Sequence, residues 1–516
     1  VYEDVTIPNE LEGLPVTSIG ESAFAGNRNI TTIQIPGSVT AISLSAFSNC
    51  RNLSKINVDP GNAEFSSVDG ILYDGAGTRL LLCPDGFQGP AIIPDGVQTI
   101  EAASFQSCWS VTSIGIPATV TDIGARAFAP CDALMSFDVA EANPAFSSHD
   151  GILFNKDVTV LVSCPGNFIG PHVMPGSVRS IGEAAFWDCD ALTEVSFSST
   201  LRTIETYAFY KCGGLTAVTF PPTLTTIGDY AFSRCSGLTG IVVPGSVQAI
   251  GDSAFAVCGQ LTSAVIEPGT SSIGVGAFSS CDNLTDVTWP ASAVVIGART
   301  FLSCDALVTI SLPSTVTTIG EFAFAECGRL VHITIPEHTT LVDEKAFSMC
   351  RSLTTVEFRS HSTSIGRSAF ESCQSLARVT TDADGTGPFP PASIGVQAFF
   401  YCGMLTTMEL PAGTTSIGAE AFANCGKLQE IVLPPQITEL GTSAFIYCFE
   451  LARVELRSAA PAIGRGCFAW CTSLTEVKAV PHYGPSGSGG VIRFHAFLNC
   501  NELLSVEIPA GVTTIE

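Results

Sequence analysis

The chain has 516 residues, 48 acidic and 23 basic, giving a formal net charge of −25. So few Lys and Arg, spread along the whole length, form no basic stripe, which argues against nucleic acid as a partner. No apolar run reaches the roughly 18 residues a membrane helix needs, and no charged-then-apolar leader opens the chain.

The dominant signal is a period. Phenylalanine recurs at Phe24, Phe47, Phe105 and Phe128, then every 23 residues from Phe186 to Phe370, then at Phe399, Phe422, Phe445, Phe468 and Phe497. Thirteen of the seventeen intervals are 23 residues, and the other four are 58, 58, 29 and 29, each one period plus an insertion of 35 or 6. A fixed period of this size means stacked supersecondary units that bury their apolar faces only against one another. The expectation is a repeat solenoid of the leucine-rich-repeat type: one domain, 1–516, of about 18 repeats. Each repeat adds one short strand to a parallel sheet, followed by turns and a short helical segment. At strand spacing the stack would span roughly 85 Å.

In chain order, Val5-Thr6-Ile7-Pro8 already reads as a strand. Two long insertions follow, about 59–93 and 140–174, and they are copies. Phe65-Ser66-Ser67-Val68-Asp69-Gly70-Ile71-Leu72-Tyr73 matches Phe146-Ser147-Ser148-His149-Asp150-Gly151-Ile152-Leu153-Phe154, each followed by an apolar run ending in Cys-Pro. Each reads as a β-hairpin, the first turning at Asp74-Gly75. Two readings stand for them: a packed flap along the sheet edge, or an arm that contacts ligand.

The residues 310–327, Ile-Ser-Leu-Pro-Ser-Thr-Val-Thr-Thr-Ile-Gly-Glu-Phe-Ala-Phe-Ala-Glu-Cys, illustrate the repeat. Ile310 and Leu312 alternate as in a strand, which Pro313 ends because it has no N–H for the ladder. Glycine follows the aliphatic residue that stands five before Phe in thirteen repeats, suiting a bend with φ > 0 or a close backbone approach. Alanine precedes Phe in fifteen repeats, and Ser104, Thr300 and Cys467 fill the other three, so two layers meet closely there. Short loop insertions at about 382–390 and 481–490 complete the pattern, the second rich in Gly, Ser and Pro. The chain closes on Gly511-Val512-Thr513-Thr514-Ile515-Glu516, where the next Ala-Phe pair would follow. With no recognisable polar cap at either end, it reads as a segment of a longer chain.

The motifs Cys-x-x-Leu-x-x-Ile-x-Ile-Pro, Val-x-x-Ile-Gly and Ala-Phe-x-x-Cys resemble the BspA-like (Treponema-type) leucine-rich repeat family over essentially the whole chain. The resemblance implies cell-surface adhesion and binding of host or matrix proteins, and it carries no catalytic residues to transfer.

Seventeen of the twenty cysteines stand three residues after a repeat Phe, from Cys50 to Cys500, with Asn27 in that place in the first repeat. This phase-locking points to a buried ladder of free thiols, because every inner member has two equivalent neighbours and no Cys-x-x-Cys pair suggests zinc. Cys83 and Cys164 fall outside the ladder, in the two long insertions, about 10 Å apart by strand spacing and beyond disulfide reach.

Binding positions are expected eight and ten residues after each Phe, on the outward face of the sheet. These hold small polar residues early (Thr32, Gln34, Ser113, Ser136, Ala217, Thr219), a small apolar strip at Val242 and Val265, and charges late: Glu357, Arg378, Glu409, Glu430, Arg453, Glu455, Glu476, Lys478 and Glu507. Mixed signs on neighbouring strands suit cross-strand pairs and a protein-binding face. His338 and His361 share a phase with Asp384, the one arrangement that raises a metal site, though the inserted Asp384 supplies no firm third ligand.

No nucleophile elbow, P-loop, His-Glu-x-x-His or dinucleotide fingerprint occurs, and no cofactor is expected. The expectation is a non-enzymatic binding protein, extracellular or on the cell surface, engaging a protein or glycan through the sheet face. The alternatives are a spacer that presents another domain, or a cytoplasmic protein–protein scaffold.

Overall fold

The computed structural model describes residues 3–360, 362–381, 390–479 and 489–516. Contacts divide the chain into two compact units, Val1–Leu238 and Thr239–Glu516, each built from stacked coils.

Most coils carry two short parallel strands where the sequence pattern indicates one. The first lies eight to eleven residues after Phe, and its registers run straight from coil to coil: Thr355 faces Arg378, which faces Thr407. The second is a two-residue strand ending at the aliphatic residue five before Phe, as in Thr318–Ile319, Leu341–Val342 and Ser364–Ile365, which pair in sequence. Two residues are too few to leave an alternation in the sequence.

The expected short helical segment forms once among the described residues, as a 3-10 turn at Leu44–Phe47. Elsewhere left-handed residues two before and two after Phe break it, for example Phe322 (φ 53°) and Glu326 (φ 61°) around Phe324. The reason is a third ladder. The reversals aim successive alternate N–H groups along the stack, so Phe322 N donates to Glu344 O (3.0 Å), Phe324 N to Ala346 O (2.7 Å) and Glu326 N to Ser348 O (2.8 Å). Three inter-coil bonds offset the roughly 1–2 kcal/mol cost of each left-handed residue. The glycine four before Phe is not in the left-handed region; it is there for close approach, and a Cβ on Gly441 would stand 2.4 Å from Ala419 N.

The repeat phenylalanines stack through each core. From Phe324 to Phe445 successive ring centroids are 5.0–5.1 Å apart and nearly parallel, including Phe370 to Phe399, across a 29-residue interval. The residues 310–327 prove atypical: 309–312 form no strand, and Ile310 and Leu312 are only half-buried.

In the first unit both long insertions are packed flaps. Phe65–Val68 and Ile71–Asp74 form an antiparallel hairpin whose next strand, Arg79–Leu82, pairs parallel with Thr99–Ile100. The second copy repeats this with Phe146–His149, Ile152–Asn155 and Val160–Ser163. Ile71, Leu72, Tyr73, Ile152, Leu153 and Phe154 are all buried. Each flap is tied back to the preceding coil by a buried or half-buried asparagine: Asn62 Nδ2 donates to Pro36 O (2.9 Å) and Val39 O (2.8 Å), and Asn143 Nδ2 to Pro117 O (2.7 Å) and Val120 O (2.9 Å).

Beyond the hairpin, each insertion closes a shortened coil of its own. Cys83 N donates to Ser104 O and Cys164 N to Ala185 O, both at 2.7 Å, the bond that Phe186 N makes to Ala208 O. The two cysteines therefore take the backbone place of a repeat Phe, and each adjoins the first ladder thiol that follows it: Cys108 Sγ points at Cys83 O (3.4 Å). They thus lie outside the thiol ladder, as their spacing indicates, and neither is in a disulfide.

Candidate functional site

The late charges gather on three adjacent strands, Glu430–Leu433, Arg453–Leu456 and Glu476–Ala479, whose registers set Glu430 opposite Arg453 opposite Glu476, and Val432 opposite Glu455 opposite Lys478. Side chains of these positions point outward because the alternate residues, Ile431, Val454 and Val477, are fully buried. Arg453 stands at the centre, 3.7 Å from Glu430, 3.7 Å from Glu455 and 3.8 Å from Glu476. Glu455, the most covered of the three carboxylates, also takes Arg457 Nε at 2.7 Å. The guanidinium is thus shared among three carboxylates at long range and its Nε has no hydrogen-bond acceptor. Of the two arginines here, Arg457 is in a tight pair with Glu455 and Arg453 is in none.

The other predicted positions separate from this cluster. Glu357 pairs with Arg359 (3.4 Å) and accepts Thr334 Oγ1 (3.4 Å). Arg378 is exposed between Thr355 and Thr407. Glu409 holds the chain itself: its Oε2 accepts Thr381 N (2.9 Å), ending the strand before residue 382, and Glu507 does the same to Ala479 N (3.1 Å) before residue 480. Both serve a coil interrupted by a six-residue insertion. Val242 and Val265 face each other in register on Gly240–Val243 and Ser263–Ile266, with Val242 half exposed.

His338 Nδ1 lies 3.0 Å from Ser314 O, while His361 and Asp384 fall outside the described residues. No group of three or more His, Cys, Asp or Glu side chains placed to hold a metal occurs among the described residues. No helix among them is long and apolar enough to cross a membrane.

The cysteine ladder is buried and free throughout, Cys500 alone being half-buried. Its role was only partly visible in the sequence. Most of these thiols donate to the carbonyl of the preceding repeat Phe, as Cys212 Sγ does to Phe186 O (2.9 Å) in the first unit and Cys350 Sγ to Phe324 O (3.1 Å) in the second, whereas Cys108 and Cys189, which follow the long insertions, point at Cys83 O (3.4 Å) and Pro165 O (3.7 Å). Burial pushes Cys350 well above the ordinary thiol range, which keeps the proton needed for that bond. Asn27 instead closes its own turn, accepting from Asn29 N (2.8 Å) and Ile30 N (3.2 Å).

One buried group escaped the sequence reading. Asp85, in the first insertion, is only 7 % exposed, and burial pushes its carboxyl up to about 6 against the pull of the Asn49 and Cys50 N–H groups and Arg51. The second insertion has Gly166 at the matching place after Cys-Pro, so comparing the two copies would have found it.

The model of the BspA-type leucine-rich repeat region matches residues 2–68, 90–150, 169–285, 271–386 and 392–516. No curated protein matches the chain. Among solved structures, a leucine-rich repeat protein from Eubacterium ventriosum is 25 % identical, with 63 % of this chain and 82 % of that one covered and a TM-score of 0.48. A leucine-rich cell surface protein from Faecalibacterium prausnitzii is 22 % identical over 86 % of this chain and 94 % of that one, with a TM-score of 0.35. The pneumococcal vaccine antigen PcpA is 17 % identical, covering 70 % and 84 %, with a TM-score of 0.39.

Proposed function

The chain belongs to the BspA-type leucine-rich repeat family, and from that premise we propose a non-enzymatic binding protein, secreted or at the cell surface, that engages a protein partner through the outward face of strands Glu430–Leu433, Arg453–Leu456 and Glu476–Ala479. Repeat scaffolds of this class act through protein interaction. The observation that carries the proposal is Arg453 shared by Glu430, Glu455 and Glu476, none closer than 3.7 Å. A guanidinium without a short partner is available to a carboxylate from outside, and the carboxylates it would release are available to incoming cations. A mixed ladder of this kind selects a partner of complementary charge pattern, which a folded protein surface supplies.

The test is binding of the purified protein to immobilised matrix proteins, host-cell glycoproteins and glycans, beside the variant Arg453→Glu with Glu430→Lys and Glu455→Lys. Saturable binding to a protein, lost in the variant and weakened by salt, supports the proposal. Binding to glycans alone, or binding the variant retains, refutes it.

A further inference from the structure

Each long insertion ends in a coil whose repeat-Phe place is held by Cys83 or Cys164, so that coil brings no ring to the place. A cleft opens over each of these coils, between the repeat turns on either side. In the first copy 44–45, 47–49, 81–82, Asp85, 102–103 and 106–107 line it, and its volume is about 370 Å³. In the second copy it is lined by 123–129, Val160, 162–163 and 182–184 and holds about 150 Å³. Small-ligand sites run from about 300 to 1,000 Å³, a range the first cleft reaches and the second does not.

Two differences set the copies apart. Across the second cleft Arg126 Nε and Glu183 Oε1 pair at 3.1 Å and join its two walls. The first copy has Ser45 and Ala102 at those places, both exposed and neither able to form an ion pair. Between the same walls Asp85 stands where the second copy has Gly166. The backbone there is alike in both, since Gly86 N donates to Leu53 O (2.9 Å) as Asn167 N does to Leu134 O (3.0 Å). The first copy therefore carries a carboxyl group that the matching frame of the second lacks.

That carboxyl group is short of a partner. Asp85 is more than nine-tenths buried and its Oδ2 has no hydrogen-bond donor. The Asn49 and Cys50 N–H groups and Arg51 draw on the carboxylate, but the Arg51 guanidinium lies over the Trp109 ring, 5.9 Å from its centre. Asp85 is also the only charged residue that lines the cleft. Beside it Phe47 is buried, Leu81 and Leu82 are half-buried, and Leu44 stands exposed at the rim. A buried carboxylate oxygen is unfavourable until something donates to it, so this one calls for a cation or donor from outside. A divalent metal would need several oxygen ligands, whereas one carboxylate among leucines suits a single positive charge on a hydrocarbon stem.

We propose that the cleft beside Asp85 binds a protonated primary amine on an unbranched alkyl stem, the ammonium donating to Asp85 Oδ2 and the stem lying against Leu81 and Leu82. A charge-assisted bond of this kind is strong where water is excluded, and the leucines cover the stem. The same group is offered by a lysine side chain of a partner protein and by a small free alkylamine. The second copy, with Gly166 and its Arg126–Glu183 pair, does not bind it. The site lies in the first unit and does not rest on the charged face around Arg453.

The probes are pentylamine, its uncharged counterpart pentanol, and Nα-acetyl-lysine methylamide, each titrated into the whole protein by calorimetry. The buffer is held at about pH 8, where an alkylamine keeps its proton and Asp85 has lost its own. The expected result is saturable binding of pentylamine and none of pentanol. Binding of pentylamine should be at least about tenfold weaker in Asp85→Asn, which keeps the shape and removes the charge. It should weaken as much in Ser45→Arg with Ala102→Glu, which places the second copy's ion pair across the cleft at two exposed residues. Binding of the lysine derivative as well assigns the site to a partner's lysine, and binding of pentylamine alone assigns it to a free amine; either result upholds the proposal. Absence of saturable pentylamine binding overturns it, as does equal binding of pentanol or binding undiminished in either variant.

Discussion

Replacing Phe347 by alanine tests how stability is distributed through the second unit. The ring is fully buried and stacks at 5.1 Å on both Phe324 and Phe370, with interplanar angles of 4° and 3°. Truncation leaves a cavity between two coils that cannot close up, because the turns are pinned by Phe324 N to Ala346 O and Phe347 N to Ala369 O, both 2.7 Å. An uncollapsed Phe→Ala site costs about 3–5 kcal/mol, toward the upper end where two aromatic stacks go with it. Phe24→Ala should cost only about 1–2 kcal/mol on the same scale, because Phe24 is half-buried and has a single stack, at 6.0 Å. Each coil contacts mainly its neighbours, so the loss should stay local. Hydrogen exchange resolved to single coils is the assay, since a long array does not promise two-state melting. Exchange should accelerate in the coils of Phe324, Phe347 and Phe370 and change little at Arg453–Leu456. A loss below about 1 kcal/mol, or equal acceleration throughout the unit, would refute the reasoning.

Gly441→Ala should destabilise by several kcal/mol, about what backbone displacement in a packed site costs, since its Cβ would meet Ala419 N at 2.4 Å, whereas Gly403→Ala meets nothing within 4 Å and should be neutral in thermal melts. Cys350→Ala should cost about 1–3 kcal/mol through the lost bond to Phe324 O, and Cys350→Ser, which keeps a donor, less; denaturant titration ranks them. Asp85 binds its proton more tightly folded, at about 6 against an ordinary 3.8, so its contribution favours the fold at low pH and is lost as pH rises from about 4 to 6. The two-unit shift corresponds to about 3 kcal/mol at most. Asp85→Asn should therefore raise stability at pH 7 and flatten that part of the profile; a variant less stable at pH 7 would show the carboxylate to be satisfied.

What could be read from the sequence was what recurs. The Phe period, the Cys ladder and the alternation at positions such as Val454 and Leu456 are all imposed at every coil by the same packing, so repetition exposes them. The left-handed residues recur just as regularly but hide, because the inter-coil bonds dictate φ while the side chains at those places vary freely: Tyr207, Arg299, Phe322, Glu420. Cys83 and Cys164 were rightly kept out of the ladder, but that each closes a coil at the Phe place stayed hidden because no Phe marks that coil. Glu409 looked like surface charge, and only the structure shows that it holds Thr381 N. Lys478 and Arg378 were placed on the outward face correctly.

The seam at Trp289 and Ala293 shows where such reading stops. Each substitution alone stays within the apolar vocabulary of its position, large for Trp289 and small for Ala293, and neither breaks the period. Beside them Ser272–Ile273 and Val295–Ile296 do not pair, and the Phe278–Phe301 centroids stand 5.9 Å apart against 5.1 Å between Phe324 and Phe347. A solenoid makes this visible because its other coils serve as internal controls, with Ile266 and Val247 before the seam and Ile335 and Val316 after it. In a chain of one repeated motif, function is to be sought at coils that keep the phase and lose the bonds.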